Sequence, residues 1–183
     1  MCCLQELNLE RVNWGTEGAH VLAAALRQLT ALQALTLGDA GLDYTGFAPV
    51  AAALPSLVAL RRLCLPLNGL GPQEAVLLAP ALLRLPLLQH LDLTANGLGQ
   101  QGIAALVPVL PTLRGLKDLE LGFNGLAGAM RCQEVAKLAL SLSALTALTH
   151  LDLQCSGIGK DGQARVLQAL SYAPLLQHVW LSG

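Results

Sequence analysis

The chain has 183 residues, of which 54% are apolar, 13% charged and 3% aromatic, and 46 are leucine. That composition excludes a disordered or acidic solvating chain, which is poor in leucine and rich in charge. A balance of 11 Lys and Arg against 12 Asp and Glu excludes the basic excess typical of nucleic-acid and anionic-membrane binders.

The first element is predicted almost at once. A pattern Leu-x-x-Leu-x-Leu opens at Leu4, and its fourth and sixth positions alternate inward as a strand does. The same pattern opens again at Leu32, Leu60, Leu88, Leu116 and Leu148, and in a weaker form (LQHVWL) at Leu176. Every step between openings is the same length except the one from Leu116 to Leu148, which is longer by four. Behind each strand a helix is predicted. Leu22, Leu26 and Leu29 mark it in the first unit, and Leu106, Leu110 and Leu113 hold the equivalent places in the fourth. Intervals of four and three place such residues on one helical face. Gly18, Gly46, Gly102 and Gly162 share one place in their units, between strand and helix, and predict a turn there.

Two units carry irregularities on the helical side. Pro80 and Pro108 also share one place in their units, within the predicted helices. An interior proline costs roughly 3 kcal/mol unless the helix bends or shortens, so kinked or short helices are expected there. The fifth unit has four extra residues within Ala127–Ala136, which places an insertion in the turn or at the helix start, on one rim of the array.

Tandem units of strand, turn and helix give parallel strands with the helices behind them, and stacking is what buries the leucines. Strands stack about 4.8 Å apart and helices need roughly 10 Å, so the array bends with strands on the concave side. The expected fold class is therefore an α/β solenoid, a horseshoe of about seven parallel strands and six helices. It forms one domain over 1–183, with six repeats and a truncated seventh. Neither end shows the polar capping unit that a solenoid needs. This predicts a piece of a longer array, or ends that contact further repeats or domains.

The start, MCCLQE, lacks a basic segment followed by an apolar one, so no secretory signal is expected. The apolar stretch from Phe47 to Leu60 holds two prolines and falls short of the roughly 18–20 residues of a membrane span. Five cysteines, an odd number, read as free thiols of a reducing compartment. A cytoplasmic setting is expected, with the nucleus as the alternative.

A search for chemistry finds no Gly-x-Ser-x-Gly, no phosphate-cradling glycine loop with lysine and no Cys-x-x-Cys. No catalytic residue, cofactor or metal is expected. His150 and His178 fall on adjacent strands and with a carboxylate could hold zinc, but His-Leu-Asp-Leu is also an ordinary way to write this strand. The outward strand positions carry six carboxylates, Glu6, Glu10, Asp92, Asp118, Glu120 and Asp152, against one guanidinium, Arg62. That is a formal −5 on the concave face against −1 for the whole chain. Such a wall attracts a basic protein surface and repels nucleic acid. Trp180 points outward on the last strand and reads either as a binding anchor or as a contact covered by a following repeat. On the convex side, Ala48, Ala52 and Pro55, then Val76, Pro80 and Leu83, then Ala104, Pro108 and Pro111 make an uncharged strip that could be a second interface.

The full signature Leu-x-x-Leu-x-Leu-x-x-Asn-x-Leu is met by units three, four and five, with Asn68, Asn96 and Asn124. Units one, two and six have Val12, Ala40 and Ser156 there. The chain resembles the leucine-rich repeat family, in its long, ribonuclease-inhibitor-like subclass. That subclass also occurs in the repeat domain of NOD-like receptors and in the Ran GTPase-activating protein. The resemblance implies a non-enzymatic protein-interaction module, the ligand-sensing or regulatory repeat region of a NOD-like-receptor-type protein or a scaffold. The alternatives it implies are an enzyme inhibitor of the ribonuclease-inhibitor type, or a GTPase-activating repeat protein using the basic pair Arg61-Arg62. The residues expected to meet a protein partner are Arg62, His90, Asp92, Asp118, Glu120, His150, Asp152 and Trp180.

Overall fold

A computed structural model describes residues 3–42, 45–125, 132–171 and 173–181, with residues 132–134 described by their backbone alone. Three-residue strands alternate with helices along the chain. The strands are β1 (Glu6–Asn8), β2 (Ala34–Thr36), β3 (Arg62–Cys64), β4 (His90–Asp92), β5 (Asp118–Glu120), β6 (His150–Asp152) and β7 (His178–Trp180). The helices are α1 (Gly15–Leu26), α2 (Phe47–Ala53), α3 (Pro72–Leu82), α4 (Gly99–Leu106), α5 (Cys132–Ser143) and α6 (Gly159–Leu170). The strands form one open parallel sheet in chain order, β1 to β7. This is the expected α/β repeat solenoid.

Pairing follows the sequence period. Leu35 sits opposite Leu63, and Leu63 opposite Leu91, each one full repeat from the next. Between β5 and β6 the longer step is kept, with Asp118 opposite His150. The extra residues of unit five are therefore absorbed between β5 and α5, and residues 126–131 of that segment lie outside the described residues. Hydrogen bonds extend each short strand at both ends. Arg61 and Arg62 both donate to the Gln33 carbonyl, and Leu65 donates to Asp92.

The core is made of leucine rows. Leu35, Leu63, Leu91, Leu119 and Leu151 at the strand centres are fully buried, as are Leu37, Leu65 and Leu121 just beyond the strands. Each such side chain stabilises the fold by about 2 kcal/mol relative to exposure. Only stacking between units can bury them all. At the sheet edges Leu7 and Val179, in the same position, are half-buried.

The helical side differs from expectation in three places. Of the four glycines that share a place in their units, only Gly46 lies in the expected turn. Gly18, Gly102 and Gly162 lie in the first turns of α1, α4 and α6, and Gly46 immediately precedes α2. At Gly102 and Gly162 the neighbouring helix approaches: a Cβ on Gly102 would stand 3.2 Å from Ala75 Cβ of α3 and 3.0 Å from Leu98 Cβ, and one on Gly162 would stand 3.4 Å from Val135 of α5. The third apolar position of each helical set lies past the helix. Leu29 and Leu113 belong to the turn that follows, where they close onto Leu26 and Leu110. The two prolines also act differently. α4 stops at Leu106, just short of Pro108, whereas α3 runs through Pro80 near its C-terminal end.

Inside the bend between strand and helix, Asn68, Asn96 and Asn124 are buried and form a ladder. Asn96 Nδ2 donates to the Leu65 and Leu93 carbonyls, and its Oδ1 accepts the N–H groups of Asn68 and Leu70. Asn124 makes the same contacts one unit on. Ser156 keeps one rung, donating to Leu121. At the residue just before each asparagine position, Arg11, Asp39, Leu67, Ala95, Phe123 and Cys155 adopt positive φ of 49–60°. The ladder secures a tight bend that costs these side chains about 1 kcal/mol each.

Candidate functional site: the concave sheet face

Strand pleating sends the first and third residue of each strand to one face. The register then stacks equivalent residues side by side, so two rows run across the sheet. The first reads Arg62, His90, Asp118, His150, His178 and the second Cys64, Asp92, Glu120, Asp152, Trp180.

In the first row Asp118 has imidazole partners. His150 Nδ1 lies 2.8 Å from Asp118 Oδ1, and His90 Nδ1 lies 3.5 Å from Asp118 Oδ2. Asp118 thus bridges two imidazoles from strands that do not touch. Thr149 Oγ1 joins them, donating to Asp118 Oδ1 at 3.3 Å and standing 2.8 Å from His150 Nδ1. The hydroxyl is on the same imidazole edge as the carboxylate, so Asp118–His150 does not present the other ring nitrogen to this hydroxyl as a catalytic base would.

In the second row like charges are neighbours. Asp92, Glu120 and Asp152 occupy three consecutive strands. Their one contact with a basic side chain among the described residues is His90 Nε2, 3.8 Å from Glu120 Oε1. Burial raises the Glu120 carboxyl above the usual range, and the charge of Asp92 raises it further. Asp92 and Asp152 are held by the backbone, each accepting the N–H two residues on, from Thr94 at 2.9 Å and Gln154 at 2.7 Å. Cys64, half-buried beside Asp92, has its thiol pushed up to about 11 and stays protonated at neutral pH.

Three rings close the row. His150 and His178 are stacked at 4.8 Å, and Trp180 lies 5.6 Å from His178, all within 20° of parallel. In-plane nitrogen lone pairs on near-parallel rings do not converge on one ion. The zinc arrangement conceivable from the sequence is not formed, and no metal-holding group of three appears among the described residues.

His90, Asp118, Glu120, His150, Asp152, Gln154 and Trp180 line one open groove of about 320 Å³. Six of the eight expected contact residues meet there. Asp92 lies beside it in register with Glu120. Arg62 does not join. It lines an adjoining shallow hollow of about 230 Å³ with Arg61, Lys117 and Glu6, and that hollow shares His90 and Asp118 with the groove. Glu6 lies on β1, three strands from His90. Sequence reading placed His178 and Gln154 on the concave face without counting them among the partner contacts, and it missed Thr149. His178 shares its strand position with His90 and His150, but nothing in the pattern indicates that its ring would stack.

On the opposite side the expected apolar strip is exposed. Val76 is 58% and Leu83 52% accessible. Ala48, Ala52, Pro55, Leu77 and Pro80 flank a furrow between α2 and α3. No helix among the described residues is long and apolar enough to cross a membrane.

The family model described as Leucine Rich repeat matches residues 84–107 and 144–162. Among solved structures, the tropomodulin C-terminal domain of Caenorhabditis elegans superposes with a TM-score of 0.70 at 15% identity, over 85% of this chain and 92% of that one. A structure titled leiomodin-1 actin-binding site 2 gives 0.68 at 15% identity, over 82% and 86%. At that identity the likeness is one of fold. No curated protein matches the sequence.

Proposed function

We propose that this chain, a leucine-rich-repeat protein, is a non-enzymatic interaction module whose concave face receives a basic protein surface. The observation that carries the reading is the unmatched row Asp92, Glu120 and Asp152, three adjacent carboxylates with no lysine or arginine in ion-pair reach among the described residues. Like charges held side by side destabilise the free protein, and an incoming cation relieves that repulsion. The resemblance to the ribonuclease-inhibitor-like subclass suggests a regulatory or scaffold role, as in the repeat domain of NOD-like receptors. The unpaired thiols of Cys64 and Cys155 suit a cytoplasmic setting. The leiomodin-1 title names actin, so actin belongs among the partners to be tried.

The test is affinity capture from cytosolic lysate with wild type and with the triple variant Asp92→Asn, Glu120→Gln, Asp152→Asn. Asparagine keeps the Oδ1 acceptors for Thr94 and Gln154, so the variant removes charge and leaves the turns intact. A partner retained by wild type, released by salt and lost with the variant supports the concave face. A partner retained equally by both moves the interface elsewhere.

A further inference from the structure

We infer that the groove seats an arginine side chain of the partner, stacked on the ring of Trp180 and paired with the carboxylates of Asp152 and Glu120. The inference rests on the concave-face reading above and names the chemistry of its anchor. Trp180 stands directly beside Asp152 in the sheet register, and Asp152 beside Glu120. Neighbouring strands lie about 4.8 Å apart, so a cation resting on the indole is within reach of both carboxylates. Trp180 is 41% exposed and lines the same groove as both acids.

The geometry favours guanidinium over ammonium. The stacked His178 and His150 rings hold the Trp180 indole within 20° of parallel to them, and the exposed part of that indole is a flat shelf. A guanidinium is planar and weakly hydrated, so it stacks on such a shelf while its in-plane N–H groups pair with carboxylates at the rim. An ammonium is compact and strongly hydrated, and gains from the charge but little from the shelf. Asp152 is positioned for this role. Its Oδ1 is held by the Gln154 N–H, and its carboxylate packs over Gly122, where a side chain would crowd it at 3.3 Å. Asp118 is not the anchor, because its oxygens are engaged by His90 and His150.

The test compares two fluorescein-labelled, amidated octapeptides, alternating Gly-Arg and alternating Gly-Lys, by anisotropy at fixed ionic strength on the full chain. The arginine peptide is expected to bind about fivefold tighter than the lysine peptide. Trp180→Leu is expected to remove that preference while leaving lysine-peptide affinity within about twofold, and Trp180→Phe to restore part of it. The unchanged lysine affinity shows that the variant remains folded. Equal affinities for wild type, or a preference that survives Trp180→Leu, overturn the arginine seat and leave the basic-partner reading standing. Failure of both peptides to bind overturns both.

Discussion

Asn96 concentrates the fold's polar chemistry in one side chain. It links two adjacent units by donating to Leu65 and Leu93 and accepting from Asn68 and Leu70, all within a buried bend. Asn96→Ala strands those backbone groups away from water, where each unpaired group costs about 1–3 kcal/mol. We expect a loss on the order of 3 kcal/mol in urea unfolding with an unchanged slope; a loss under about 0.5 kcal/mol would show that the ladder is incidental. Glu120 tests the electrostatic side. Its carboxyl binds a proton more tightly in the folded state than in the unfolded chain, because burial and Asp92 disfavour the charge. Ionising it therefore costs stability, and that cost is absent below the ordinary carboxylate range and complete above the raised one. Glu120→Gln is expected to raise the urea midpoint at neutral pH, with the gain vanishing near ~pH 3. A gain that persists in acid would assign the effect to packing. The asparagine positions are legible in the sequence because their spacing is rigid. The positive φ of Leu67, Ala95 and Phe123 is not, since ordinary side chains stand where backbone economy alone would favour glycine.

At the scale of elements, strands are easier to read than helices. A strand here is three residues fixed between two leucines, and the register repeats it without drift. The helices vary in length because their breakers vary. The carbonyl of Val107 would meet the N–H of residue 111 if α4 continued, but that residue is proline; Ser141 of α5 donates to the carbonyl instead, at 3.0 Å. The glycine that recurs at one place in four units suggests a turn, because glycine usually marks one. At Gly102 and Gly162 it is instead a packing contact between adjacent helices, which a one-dimensional pattern does not distinguish from the turn at Gly46. Gly102→Ala measures this contact. Alanine favours a helix by up to about 1 kcal/mol over glycine, but its methyl would meet Leu98, Ala75 and Pro72 at 3.0–3.4 Å. We expect net destabilisation of about 1–3 kcal/mol by thermal or urea unfolding; a stabilised variant would show that α3 and α4 separate at little cost.

Across the whole molecule, the architecture is visible in the sequence because each unit repeats one solution to burying leucine. The charge of the concave face is visible for the same reason, since strand alternation fixes which residues point outward. What the pattern hides is how neighbours divide the work. Asp118 is consumed in bridging His90 and His150, while Glu120 and Asp152 remain unmatched beside Trp180. That division depends on rotamers and on the stacking of three rings, neither of which has a period. The apolar furrow of Ala52, Leu77 and Pro80 lies on the opposite side and offers no charge. The measurement that separates the two faces most directly is an amide chemical-shift footprint of the captured partner on the isotope-labelled chain. The account predicts the largest changes along His90–Asp92, Asp118–Glu120, His150–Asp152 and His178–Trp180. Changes confined to α2 and α3, with those four strands unmoved, would contradict it.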